Sequence, residues 1–290
     1  MPLIVSVVIP VKDDFDRLEL CLSALEGQNY PRDLFEIIVV DNNSVGDIAV
    51  VSTLFPKVSF LFEGAVGSYA ARNKAIAASK GSLLAFTDSD CIPGPSWIEA
   101  GVLAFSCDAE LSMLAGKIEL FTASKNKLTS VELYELAFAF NQKKYLEERH
   151  YGATANVFAR RELISSVGKF NASLYSGGDK EWGLRVYQAG FKQVYSREVV
   201  VSHPARRSYW EYFRKLRRVT KGARDIKDHI IGGSDLLALQ PKSSSYHSLR
   251  YLMERLEGMS IWRKIRVLWI VGLTFVFTKI LYISGAINFR

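Results

Sequence analysis

Cysteine is scarce in this chain, with three in 290 residues: Cys21, Cys91 and Cys107. So few thiols, so widely scattered, exclude a disulfide framework and a cysteine-based zinc site, and fit a reduced cytosolic protein. The first strand-like run, Leu3 to Ile9, has neither the basic leader nor the small-residue cleavage site of a secretory signal, so none is expected. Two Asn-x-Ser triplets, at Asn42 and Asn171, are then incidental. Internal repeats are missing, and neither the glycine-rich phosphate loop nor the dinucleotide fingerprint occurs. Most of the chain also lacks an excess of positive charge. Residues 1–205 hold 20 Lys and Arg against 24 Asp and Glu.

What is present points to a folded α/β protein. Hydrophobic residues make up 49% and aromatics 12%, enough for a large core and too much for a disordered or collagen-like chain. The net charge of +7 comes from residues 206–290, with 17 basic and 6 acidic side chains. Such a segment suits nucleic acid, an anionic membrane or a phosphorylated substrate; a solvated helix face has the same composition.

Strand and helix patterns alternate through the first hundred residues. Leu3–Ile9 is a continuous β-branched run, as in a strand buried on both faces. A helix capped by Asp13 or Asp14 is expected to about Gly27, with Leu18, Cys21, Leu22 and Leu25 at helical spacing. Further strands are expected at Phe35–Val40, Val58–Phe62 and Ser82–Thr87, with an alanine-rich helix at Val66–Ser79. Repeated β-α-β units imply a mostly parallel sheet flanked by helices, whose ligands bind beyond the carboxyl ends of the strands. Pro10, Asp41 and Asp88 fall at that edge. Beyond it the pattern predicts helices at 97–105, 128–148, 180–189 and 206–228, strands at 111–121, 155–159 and 193–201, and a linker at 232–248.

From Val267 to Ile287 the chain is apolar except for Lys279, with Arg263, Lys264 and Arg266 just before it. Its longest uncharged run, Val267–Thr278, has 12 residues, short of the roughly 18–20 that a spanning helix needs. An interfacial helix, a single span and a soluble packing helix all remain open.

The most informative triplet is Asp88-Ser89-Asp90, at the end of the apolar run Leu83–Thr87. Two carboxylates so placed can share a divalent cation, Mg²⁺ or Mn²⁺, that bridges to phosphate oxygens. A lone Asp-x-Asp is also an ordinary turn or helix cap, so its context matters. That context is the series Val7-Val-Ile-Pro10, Val39-Val-Asp41-Asn-Asn-Ser44, Ala71-Arg72-Asn73 and Phe86-Thr-Asp88-Ser-Asp90, in this order. Together, over about residues 3–225, these motifs resemble the inverting family-2 glycosyltransferases of GT-A fold.

The resemblance implies roles. Pro10 and Val11 would line the nucleotide pocket, Asp41 would accept a hydrogen bond from the base, commonly uracil, and Arg72 would approach the nucleotide. Asp88 would lie near the ribose or metal, and Asp90 would bind the metal. Asp41 is equally good turn chemistry, and Arg72 could be a surface helix arginine. The cluster Gly177-Gly178-Asp179-Lys180-Glu181-Trp182 resembles the family's second signature, with Gly178-Asp179 where an acidic pair is usual. Asp179 takes the position of the catalytic base, with Glu181 as rival; an N-cap is the alternative for Asp179. Trp182 is either an acceptor-stacking ring or a core aromatic. His203 would contact metal or diphosphate. Arg206, Arg207 and Arg214 would face the diphosphate, and Asn156 would lie on the acceptor side.

The expected architecture is thus α/β, a GT-A catalytic domain over residues 1–230 followed by a linker and membrane-associating helices over 231–290. The expected activity is transfer of a sugar from a nucleotide-sugar, with UDP as the expected nucleotide, to a hydroxyl of a glycan or lipid-linked acceptor. A divalent cation would assist, and the enzyme would sit at the cytoplasmic face of a membrane, peripherally or by a single span. A sugar-nucleotide pyrophosphorylase would carry a Gly-rich, Arg-containing loop where Pro10-Val-Lys-Asp-Asp-Phe15 stands. A nucleic-acid module on 206–228 would expose its aromatics instead of repeating them on one face, so no nucleic-acid partner is expected. A non-catalytic membrane-docking relative would have no need of the Asp88/Asp90 pair.

Overall fold

A computed structural model describes residues 3–230 and 249–283 of the chain. The expected linker at 232–248 and the tail beyond Ile283 lie outside the described residues. Eight strands form one sheet in the order β3-β2-β1-β4-β7-β6-β8-β5. The first four in that order are parallel: β1 (Val5–Val11) lies between β2 (Phe35–Asp41) and β4 (Leu83–Thr87), and β2 pairs with β3 (Ser59–Phe62). The other half differs from the expectation of a mostly parallel sheet. β7 (Asn156–Arg160) runs antiparallel to β4 and to β6 (Leu111–Phe121), and the two-residue β5 (Ile92–Pro93) runs antiparallel to β8 (Lys192–Pro204).

Every residue of β1 and of β4 is buried, which requires helices on both faces and explains their unbroken apolar runs. The helices of the first half are α1 (Phe15–Glu26), α2 (Ala49–Leu54), α3 (Ser68–Ala78) and α4 (Trp97–Cys107). α1 turns Leu18, Cys21, Leu22 and Leu25 inward, as its spacing demands. β1–β4 pairing is in register from Val5↔Leu83 to Val8↔Phe86, so Pro10 lies beyond the part of β1 that pairs with β4, while it still stands opposite Val40 of β2.

The helix expected over 128–148 is two helices, α5 (Ser130–Phe138) and α6 (Gln142–Arg149). Thr129 and Glu132 form a reciprocal capping box at the start of α5. Phe140 adopts a left-handed φ of 52°, and the Asn141 side chain accepts from Lys144 N to begin α6. Local capping thus overrides a continuous apolar pattern. α7 (Glu162–Val167) and α8 (Gly178–Gln188) follow β7. The remaining helices are α9 (Tyr209–Ile230), α10 (Leu249–Arg255) and α11 (Ile261–Ile283).

The chain divides into two compact units, residues 1–119 with 141–203, and residues 120–140 with 204–290. α5 and α9 therefore group with the C-terminal helices, whereas the sequence suggested a division at residue 230. The cause is apolar packing: Val131, Tyr212 and Ile270 form one buried cluster, and Leu133, Leu256 and Val267 another. Within this second unit Glu135 is fully buried and bonds Lys215 Nζ at 2.7 Å and Arg206 Nη1 at 3.0 Å. Burial pushes its carboxyl up, but Lys215 and Arg206 outweigh that and hold it below the ordinary glutamate range. Because the folded value is depressed, this ionisation stabilises the fold above the unfolded value and is lost as pH falls through the folded one. Glu135→Gln should cost about 3 kcal/mol at pH 7. In denaturant titrations that deficit should narrow as pH falls below the unfolded value of about 4.3 toward the lower folded one; a deficit independent of pH would contradict the assignment.

Candidate functional site

The carboxyl ends of β1, β2 and β4 gather the polar groups, because the parallel register aligns their last residues. Asp41 ends β2 opposite Val11, and its Oδ1 accepts from Ser44 Oγ at 2.5 Å and Ser44 N at 3.1 Å. Asp41 is therefore a turn residue as well as a donor-pocket candidate. Asn43 takes the left-handed φ of 62° that the turn needs. Asn42 ties this turn to the start of α3: its amide donates to Glu63 O and Ala65 O and accepts from Gly67 N at 2.7 Å. Gly67 has φ 125°, which a side chain would strain.

α3 presents Tyr69, Arg72 and Asn73 in one turn. Arg72 is only 3% exposed and ion-pairs with Asp88, so it is no surface arginine. Its guanidinium lies over the Tyr69 ring, 5.6 Å from the centroid. The Tyr69 hydroxyl in turn donates to Asp179 Oδ1 at 3.3 Å. Asn73 exchanges two bonds with the backbone of Phe170, fixing the segment that leads to α8. One helical turn thus connects the expected donor and metal carboxylate to the expected base. Sequence reasoning missed Tyr69, although its spacing of three from Arg72 puts both on one helix face.

Asp179 lies in the first turn of α8, behind Gly177 at φ 82°. Gly178 replaces the usual acidic residue for a steric reason: a Cβ there would sit 2.8 Å from the Tyr69 ring. Glu181, the rival base, is buried and bonds Arg185 Nε at 2.6 Å and Nη2 at 3.0 Å. Arg185 also donates to Val167 O and Lys169 O. Glu181 therefore anchors the loop before α8 and is not available as a base.

Asp90 and His203 face each other, with Oδ2 and Nε2 3.4 Å apart, and Arg17 Nη1 lies 3.9 Å from the same carboxylate oxygen. β5–β8 pairing, with Ile92 opposite Ser202, creates this meeting of residues 113 apart. Burial raises the Asp90 carboxyl above its ordinary value, Asp88 adds to this, and His203 and Arg17 oppose it. Beneath the acidic pair, burial pushes the Cys21 and Cys91 thiols up, so they are inert packing groups. Among the described residues, no group of three or more His, Cys, Asp and Glu is gathered as for a metal ion.

Two expected acceptor contacts are corrected by burial. Trp182 is 1% exposed, packs against Phe86 and Phe170, and donates to Gly168 O at 3.0 Å. It is the core aromatic of the two alternatives. Asn156 is fully buried: its amide donates to Lys117 O and Val199 O and accepts from Trp97 Nε1 at 2.8 Å. Gly116 leaves room for it, since a Cβ there would lie 2.4 Å from the amide nitrogen. Asn156 binds β6, β7, β8 and α4 together instead of reaching an acceptor. Of the basic residues expected at the diphosphate, Arg206 pairs with Glu135, and Arg207 and Arg214 are exposed in the second unit.

The chain is similar to known glycosyltransferases in sequence and in fold. The family model for glycosyl transferase family 2 matches residues 6–168. The glycosyltransferase AglE of Haloferax volcanii is 36% identical over 223 residues, covering 75% of this chain and 72% of that one. The pre-mycofactocin glycosyltransferase of Mycobacterium tuberculosis is 28% identical over 218 residues, 70% of this chain; the chain spans 43% of that relative's length. Among solved structures, the mannosyltransferase PcManGT of Pyrobaculum calidifontis, in complex with GDP-Man and Mn²⁺, superposes with a TM-score of 0.61 at 14% identity. It covers 99% of this chain and 88% of its own. TarS (residues 1–349) of S. aureus gives 0.54 at 16% identity, covering 95% and 80%. At such identities these structures establish the GT-A fold alone.

Asn156→Ala should destabilise the protein by about 3 kcal/mol, since it leaves a buried indole N–H and two carbonyls without partners. Activity per folded molecule and the KM for acceptor should stay at wild-type values; a raised acceptor KM at full folding would restore the acceptor-side role.

Proposed function

This chain belongs to glycosyl transferase family 2 and is a glycosyltransferase of GT-A fold; from that premise we propose that it transfers a sugar from a nucleotide-sugar, a UDP-sugar, to a hydroxyl of a glycan or lipid-linked acceptor. The observation that carries this reading is the network from Asp88 through Arg72 and Tyr69 to Asp179 at the carboxyl edge of the sheet. Pro10, Val11 and Asp41 would hold the nucleotide, with Asp41 Oδ2 directed to the base while Oδ1 stays in its turn.

The donor set fits a divalent cation held by few protein groups. Asp90 and His203 converge on one point, a mixed carboxylate and imidazole pair suits Mn²⁺ better than Mg²⁺, and diphosphate oxygens commonly complete such a shell. Asp90 and His203 would hold it, with Asp88 alongside; bound there, it would neutralise the charge that builds on the diphosphate as the glycosidic bond breaks. Asp179 accepts the proton of the acceptor hydroxyl as its oxygen forms a bond to the anomeric carbon. The bond from that carbon to the phosphate oxygen breaks, its electron pair leaves with the nucleoside diphosphate, and attack from the opposite face inverts the anomeric configuration. Tyr69 orients Asp179, and Arg72 holds Asp88 in place.

All the residues given donor, metal and base roles fall within residues 1–230, the proposed catalytic domain, and the helices beyond would bring it to the cytoplasmic face of a membrane. Asp179→Asn should lower kcat by about 10²–10⁴-fold while UDP, titrated calorimetrically with Mn²⁺, binds as tightly as to wild type. Near-normal turnover would remove Asp179 as base, and UDP binding of equal strength without a divalent cation would remove the metal from the donor site.

A further inference from the structure

The second unit carries a large apolar surface that the chemistry does not use. α11 has two unlike faces. Inward, Val267, Ile270 and Leu281 are buried, Thr274 shares a hydrogen bond of 2.6 Å with Tyr212 of α9, and Phe277 packs on Phe213. Near its start, Arg266 donates to Leu128 O and Ser130 Oγ. Near its end, Leu281 O accepts from Arg224 of α9 at 2.7 Å. The helix is therefore attached along most of its length to α5 and α9. Outward, Ile265, Leu268, Trp269, Phe275, Val276 and Ile283 are all exposed, and only 17% of the most apolar stretch is buried. Lys279, the one charge on this side, lies 5.1 Å from the Phe275 ring, so its stem covers apolar surface while its head can reach water.

Among the described residues α11 alone is long and apolar enough to cross a membrane. To cross, it would have to leave α5 and α9 or carry α9, with exposed Arg214 and Arg218, into hydrocarbon. We propose that α11 instead lies in the plane of an anionic lipid bilayer surface, its outer face sunk to the headgroup–acyl boundary and its inner face still packed on α5 and α9. Charge complementarity selects this occupant: Arg214, Arg218, Arg250 and Arg263 are exposed cations of the same unit. Trp262 and Trp269, 74% and 61% exposed, are of the residue type that favours that boundary. The inference rests on the membrane part of the proposed function and replaces the choice between span and surface with one arrangement.

Ile265, Val276 and Ile283 lie on one side of α11 and are all exposed, so substitutions there leave the packing intact. In the full-length protein with Cys107→Ser, each would be changed to Cys in turn and labelled with an environment-sensitive dye, and its depth read by lipid-borne quenchers. The vesicles would contain phosphatidylglycerol and phosphatidylcholine, or phosphatidylcholine alone. The arrangement predicts equal, shallow depth at all three positions. It also predicts binding at least about tenfold tighter to the anionic vesicles, and loss of most of that binding in Val276→Asp. A label at Val276 far deeper than at both ends would show a span and overturn the proposal. Failure to bind either vesicle would overturn it together with the membrane part of the proposed function, and UDP binding by the same preparation shows whether the donor site stands apart from that failure.

Discussion

The candidate site depends on the contact between Asp90 and His203. Asp90 lies in the turn before β5 and His203 near the end of β8, far apart in sequence, and two residue pairs of β5 and β8 set their register. A slip of one residue would turn every side chain of the segment to the other face. The carboxylate would then lose the imidazole that opposes the effect of its burial, and the two groups would no longer converge. Pairing of backbone groups thus decides which side chains meet. The antiparallel half of the sheet, which an α/β pattern alone does not call for, exists in this site to deliver His203.

α3 makes the second connection. Its Ala-Arg-Asn turn places buried Ala71 against the sheet, Arg72 on Asp88 and Asn73 on the backbone of Phe170. Phe170 and Trp182 pack together beneath the start of α8, so the position of Asp179 is held from two sides. Buried Arg72 is tolerable because it is paired and lies on an aromatic face; alone, a desolvated guanidinium would be costly. The glycine at 178 belongs to the same packing, since the Tyr69 ring occupies the space of a side chain there.

The strands and the carboxylates were legible because they rest on local signals. Apolar runs bounded by Asp41 and Asp88 report both the strand and the edge at which it ends. Long-range burial was not legible. Asn156 and Trp182 have the residue types of a sugar-binding site, and nothing nearby in the chain reveals that one is enclosed by β6, β8 and α4 and the other by Phe86 and Phe170. The break between α5 and α6 was readable in principle, because Asn141 is a strong cap, but the apolar periodicity runs through it. The basic segment also divides on inspection of partners: Arg206 and Lys215 neutralise a buried glutamate, a demand that composition cannot show.

The central claim is that Asp90 and His203 together hold the divalent cation under the donor diphosphate. Pulsed electron paramagnetic resonance of the protein with Mn²⁺ and UDP tests it directly. The account predicts a nitrogen coupling from one coordinated imidazole that disappears in His203→Ala. A Mn²⁺–UDP complex bound to the wild-type protein with no nitrogen coupling, or with a coupling that survives His203→Ala, would contradict it.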